Sequence, residues 1–208
     1  MRSLALTLAL LAASACAPPP LDAPTGLTVT PAATANENHP TVSGTAPAGS
    51  TVTVYRHAAC EGPLVEVEAE PNGHFEIEVL IPDNSVSTFC ANASINRERT
   101  SGCSSSVQYI EDSLAPGVPL LSETVPPSPS PQPDIHLLGF GDMGTTIRAY
   151  LTSDCTGPVA GTATTRSDFS FDIPVTIPTN ATTQISIDSV DAAGNVSGCA
   201  PPFTVVEG

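Results

Sequence analysis

The sequence predicts an all-β protein made of two tandem β-sandwich domains, about seven strands each, with one disulfide per domain. Three observations predict it. An ordered set of residues occurs twice: Tyr55, Cys60, Gly62-Pro63 and Gly102-Cys103, then Tyr150, Cys155, Gly157-Pro158 and Gly198-Cys199. Each copy, repeating at an offset of about 95 residues, has the size of one small domain. Finally, 22 Pro and 15 Gly separate short Val-, Ile- and Thr-rich runs, and no long helical periodicity appears after the N-terminus.

In the first copy the expected strands are Leu27 to Thr30, Thr41 to Gly44, Thr51 to His57, Leu64 to Glu70, Phe75 to Ile81, Val86 to Ile95 and Ser105 to Glu111. Val65, Val67 and Ala69, then Phe75, Ile77, Val79 and Ile81, alternate with polar residues as half-buried strands require. Pro71-Asn72-Gly73-His74 reads as the turn of a hairpin joining these two strands, because Asn-Gly suits the positive φ of a tight turn. The second copy repeats the order as Val118 to Glu123, Ile135 to Gly139, Thr145 to Leu151, Val159 to Thr164, Phe169 to Ile173, Thr183 to Val190 and Phe203 to Val206. Pro126 to Pro133 falls where Pro31 to His39 falls in the first copy and reads as a crossing between sheets. The expected division is a signal peptide over 1–15, a lipidated Cys16 with a Pro-rich tether over 16–21, a first domain over 22–112, a short linker over 113–117 and a second domain over 118–208.

The export signal rests on Arg2, the apolar run Leu4 to Ala12 and the small residues Ala13-Ser14-Ala15 before Cys16. The apolar run is too short to span a bilayer. Cys16 after small residues fits a lipobox, apart from Ala13 where Leu is usual, and Ala13-x-Ala15 also fits ordinary signal-peptide cleavage. The first route gives an outer-membrane or cell-surface lipoprotein that meets the membrane only through its lipid; the second gives a periplasmic or secreted protein. Either route leads to a compartment where disulfides persist. The second copy holds only Cys155 and Cys199, so these pair, and the duplication then implies Cys60 with Cys103, at nearly equal separations of 43 and 44 residues. Cys90, matched by Ser186 in the second copy, is left unpaired: a free surface thiol or the donor of an intermolecular disulfide.

Gly44-x4-Gly49-x2-Val52-x-Val54-Tyr55, Asn72-Gly73-x-Phe75 and Asp191-Ala-Ala-Gly194-Asn195-Val-Ser197 resemble bacterial Ig-like repeats of secreted and surface proteins. With Cys60, Cys103, Tyr109-Ile-Glu111-Asp112 and Ala115-Pro116, the chain is similar to a disulfide-containing variant found in large myxobacterial surface proteins. The resemblance covers nearly the whole mature chain. It implies a sandwich fold and a role as spacer, adhesive module or partner of an enzyme, without naming a ligand. The first copy departs from it at Asn96-Arg97-Glu98-Arg99, where the Ala-Gly-Asn turn is missing.

The formal net charge is -15, and all six basic residues are Arg. A field of this sign repels phosphate backbones and anionic headgroups, so nucleic acid is disfavoured as a partner. The densest charge is Glu66, Glu68 and Glu70 followed by Glu76 and Glu78, expected on the solvent face of one hairpin and within cross-strand reach. These, with Asp188 and Asp191, are the candidate Ca²⁺-binding residues. Against a metal site, a flat strand does not wrap an ion, and Asp and Asn also build turns unaided. No other cofactor is expected. His39, His57, His74 and His136 lie on unrelated segments, no nucleophile motif occurs, and no enzyme is expected. With no Trp, three Tyr and six Phe, a stacking platform for glycans is poorly supplied, and Phe75, Phe89, Phe169, Phe171, Tyr55 and Tyr150 fit core or rim positions. The expected function is a non-catalytic surface module acting in adhesion, in binding a protein or glycan partner, or as a spacer of the cell envelope; the alternative is a secreted soluble module binding a cation or carbohydrate, and behind it an envelope enzyme or an enzyme accessory domain.

Overall fold

The structure is a computed structural model that describes residues 19–32 and 34–208; the expected signal peptide and Cys16 lie outside them. It contains sixteen strands and, among the described residues, no helix. The first nine are β1 (Thr25–Thr30), β2 (Thr34–Ala35), β3 (Thr41–Thr45), β4 (Thr51–Tyr55), β5 (Pro63–Glu68), β6 (His74–Glu78), β7 (Val86–Ile95), β8 (Arg99–Thr100) and β9 (Val107–Glu111). Then come β10 (Leu120–Val125), β11 (Asp134–Phe140), β12 (Thr146–Tyr150), β13 (Val159–Thr164), β14 (Ser170–Thr176), β15 (Thr182–Val190) and β16 (Phe203–Val206).

Both copies build two facing sheets in the same order. In the first, β1-β3-β6 opposes β2-β9-β7-β4-β5, with β8 attached to β7; in the second, β10-β11-β14 opposes β13-β12-β15-β16. Val42, Val52, Val54, Phe75, Phe89 and Tyr109 lie in one core. Ile135, Leu137, Ile147, Phe171, Ile173, Ile185 and Ile187 lie in the other. Alternation produces this packing, because every second side chain of a strand points to the facing sheet. The central strands β7 and β15 are buried through their middles, as strands with neighbours on both sides and a sheet in front must be. One glycine in each copy makes room for the core aromatic. A Cβ at Gly44 would stand 3.0 Å from Phe75, and one at Gly139 would stand 2.5 Å from Phe171 and 2.1 Å from the Leu120 carbonyl oxygen.

The expected hairpin over Glu66 to Glu78 is not a paired hairpin. The turn at Asn72-Gly73 forms, with the Glu70 N–H bonded to the His74 carbonyl at 2.7 Å, but the strands on either side go to different sheets. β5 pairs with β4 and β6 with β3. A tight turn fixes the reversal of the chain, whereas the partner of each strand is set by which sheet its apolar face must cover. The second copy makes the same crossing at Phe169, whose φ of 67° takes the place of the 86° of Gly73. Phe169 is thus an exposed turn residue rather than a core one, 53% accessible.

Candidate functional site

The repeated cysteine frame is reproduced in the backbone. Cys60 and Cys155 both adopt left-handed φ, 53° and 57°, in the loop after β4 and β12. On the other side, the Ser-Gly-Cys segment is held identically in each copy. Ser101 exchanges bonds with Ala93, its N–H reaching the carbonyl at 2.8 Å and its hydroxyl accepting the amide at 2.9 Å; Ser197 does the same with Ser189, both at 2.9 Å. These bonds place Cys103 and Cys199 at equivalent points.

The second copy bonds Cys155 to Cys199 across a Cα separation of 5.8 Å. The first does not follow it. Cys60 is bonded to Cys90, Cα atoms 5.9 Å apart, and Cys103 is the free, exposed thiol. The expected Cys60–Cys103 bond and unpaired Cys90 are therefore corrected. The reason is register: Cys90 stands directly opposite Tyr55, the last residue of β4, and its side chain is aimed at the loop that carries Cys60. Ser186, opposite Tyr150, uses that same position to accept the Cys155 amide at 2.8 Å. A sulfur there meets another sulfur. The three sulfurs of Cys60, Cys90 and Cys103 lie within 4.8 Å of one another, the one group of His, Cys, Asp or Glu among the described residues close enough to share a metal ion.

The acidic residues expected to share a cation are dispersed. Glu66 and Glu68 stand opposite Thr53 and Thr51 on one sheet, Glu76 and Glu78 opposite Ser43 and Thr41 on the other, and Glu70 accepts a bond from the Asn72 amide at the turn. Asp188, 6% exposed, is taken up by Arg148 through two hydrogen bonds of 2.8 and 2.6 Å and by the Tyr150 hydroxyl at 3.3 Å. The bond to Asp188 raises the Arg148 pKa, and burial followed by the Asp188 charge raises that of Tyr150. Asp191 folds its own turn, one oxygen accepting the amides of Ala193 and Asn195 at 2.9 Å.

That turn serves the junction between the two sandwiches. The Asn195 side-chain amide donates to the Asp112 carbonyl at 2.8 Å and to Asp191 at 3.0 Å, while its oxygen accepts from Asn36 at 2.6 Å. Asn195 is 7% exposed. Ser189 donates to the Gly117 carbonyl at 3.0 Å, and Asp142 accepts the Gly117 amide at 2.7 Å. In the first copy Arg99 stands where Asn195 does and donates to the Pro19 carbonyl, so both positions hold the chain entering their own sandwich.

Two buried carboxylates hold left-handed turns. Glu111 accepts the amide of Asn84, and Glu207 that of Asn180, each asparagine at positive φ, 51° and 53°. The paired segments Ile81-Pro82-Asp83-Asn84 and Ile177-Pro178-Thr179-Asn180 carry this device in the sequence.

The four histidines stay apart, and three of them face single carboxylates: His39 with Glu37 at 3.9 Å, His74 with Glu76 at 3.8 Å and His136 with Asp172 at 2.6 Å. The His57 ring accepts the Ala59 amide. The groove beside His136, lined by Gln132, Asp134, Ile135 and Pro174 among others, has no serine or cysteine in its lining. No helix of the described residues is long and apolar enough to cross a membrane.

Strand order and sheet division define two Ig-like β-sandwiches, with β1-β3-β6 facing the larger sheet built on β9-β7-β4-β5 in the first copy and three strands facing four in the second. No protein-family model matches the chain, and no curated protein matches it. Among solved structures it is similar to the fibronectin(III)-like modules of Clostridium thermocellum CbhA, 13% identical with a TM-score of 0.50, over 88% of this chain and 95% of that one. It also matches the BSP domain of a biofilm-associated protein at 18% identity and TM-score 0.34, covering 87% of this chain but spanning only 29% of that one. The C-terminal 282-residue fragment of intimin, solved with the intimin-binding domain of the translocated intimin receptor, matches at 11% and 0.39, over 88% of this chain and 63% of that one. At 13% identity the likeness to the CbhA modules is one of fold.

Proposed function

We propose that this chain is an exported, non-catalytic Ig-like module that stands at the cell envelope as a short spacer holding two sandwiches in a set relation. The observation that carries this reading is the bonding of Asn195. One side chain ties the second sandwich to the segment that follows β9 of the first, through Asp112, and to Asn36, and leaves no donor or acceptor of its own idle. A flexible tether needs no such residue. The polar groups that chemistry would require are spent on the scaffold instead: Asp188 on Arg148, Asp191 on its turn, Glu111 and Glu207 on asparagine amides.

A role in adhesion or partner binding is favoured by one further observation, the exposure of Phe140 and Phe169, 53% each, at one end of the second sandwich. Buried aromatics are the rule in a chain this poor in them. Anchoring through a lipidated Cys16 is part of the proposal.

The test is fractionation and protease shaving of intact cells producing the full chain and its Cys16→Ser variant. The full chain is expected in the membrane fraction and open to external protease, and the variant in the soluble exported fraction. A chain found in the cytoplasm, or one whose distribution the substitution leaves unchanged, contradicts the anchored reading.

A further inference from the structure

We propose that Cys60, Cys90 and Cys103 form a thiol–disulfide exchange site, in which Cys60 alternates between two partners and so decides whether a reactive thiol is presented to solvent. Three observations lead here. The sulfurs lie within 4.8 Å of one another, which sets the Cys103 thiol beside the Cys60–Cys90 bond. The backbone that carries Cys103 matches, bond for bond at Ser101 and Ser197, the backbone that carries the bonded Cys199. Thus the first copy keeps the frame for a Cys60–Cys103 bond while Cys60 is bonded to Cys90. The thiol left over in each state also has an acceptor waiting. Cys103 lies 3.8 Å from the Ala59 carbonyl oxygen, and the Cys90 sulfur 2.9 Å from that of His57.

The step balances without any external oxidant. The Cys103 thiolate attacks the sulfur of Cys60; the Cys60–Cys90 bond breaks as the Cys60–Cys103 bond forms; Cys90 leaves as the thiolate and takes up the proton that Cys103 gave to solvent. The two states differ in what they offer. With Cys60 bonded to Cys90, the exposed Cys103 thiolate is open to an external disulfide, forming a mixed disulfide with one half and releasing the other as a thiol. With Cys60 bonded to Cys103, the free thiol is Cys90, fully buried and closed to such a reagent. The second sandwich, with Ser186 at the position of Cys90, has only one pairing and cannot switch.

The test uses the purified full chain, treated under native conditions with N-ethylmaleimide for seconds or for hours, then quenched in acid and mapped by mass spectrometry without reduction. A short pulse is expected to label Cys103 in only part of the molecules, with the unlabelled remainder carrying the Cys60–Cys103 bond. Long treatment is expected to label Cys103 completely and leave Cys60–Cys90 as the only bond of the first sandwich, because alkylation drains the exchange in one direction. The Cys103→Ser variant should take no label within the first sandwich while keeping Cys60–Cys90. A single pairing at all times overturns the proposal, and so does a mixture whose proportions long treatment leaves unchanged.

Discussion

Arg148 and Asp188 sit directly opposite each other on β12 and β15, and the guanidinium grips both carboxylate oxygens, at 2.8 and 2.6 Å. The first sandwich has Thr53 and Asn92 at these places, and Asn92 still reaches the neighbouring tyrosine hydroxyl, at 3.0 Å, much as Asp188 meets Tyr150. The scaffold therefore works with a neutral pair and with a charged one. Only the charged one carries the penalty of a stranded carboxylate when its partner is removed.

Arg148→Met should destabilise the second sandwich by about 2–4 kcal/mol, since it leaves Asp188 buried without its cation. The double variant Arg148→Thr, Asp188→Asn recreates the arrangement of the first copy and should recover most of that loss. Urea denaturation of the single and double variants measures both values; a recovery near zero would mean that the pair is not what holds the two strands there.

Glu111 and Glu207 each accept the amide of a left-handed asparagine, and each is nearly enclosed. Replacing either by Ala leaves a backbone donor without its acceptor, at a cost of about 1–3 kcal/mol. Amide hydrogen exchange should show faster exchange at Asn84 for Glu111→Ala and at Asn180 for Glu207→Ala, with the other sandwich unchanged. Unaltered protection at these two amides would contradict the assigned bonds.

Phe169 holds a left-handed backbone, φ 67°, where the first copy uses Gly73. For a bulky residue that conformation costs about 1–2 kcal/mol, so Phe169→Gly should raise the stability of the second sandwich or leave it level despite the added freedom of glycine in the unfolded chain. Thermal denaturation decides it. A loss of more than about 1 kcal/mol would show that the exposed ring makes packing contacts that outweigh the strain.

What the sequence made legible follows from what local chemistry can specify. Alternation located the strands, and the duplicated tyrosines, cysteines and glycines revealed two copies of one sandwich. The hairpin of glutamates misled because Asn72-Gly73 does make its turn; the divergence of β5 and β6 into separate sheets depends on the facing core, which no local signal encodes. Cys90 misled for a related reason. Aligning the copies sets it against Ser186 and makes it look incidental, yet the side chain at that position points at the loop of Cys60 or Cys155, as the Ser186 bond to Cys155 shows. Asp188 and Asp191 are legible as acidic residues near a turn, and the turn is local, but the strand pair of Asp188 and the junction bonds of Asn195 depend on residues far away in the chain, Arg148, Asp112 and Asn36.

The central claim is that Asn195 and its partners set the two sandwiches in a fixed relation. Nitrogen-15 relaxation of the full chain measures it most directly. Wild type should tumble with one common diffusion tensor for both sandwiches, and Asn195→Ala, which removes the bonds to Asp112 and Asn36, should give two separate and faster ones while each sandwich stays folded. Independent tensors in the wild type, or a common tensor that survives the substitution unchanged, would contradict the account.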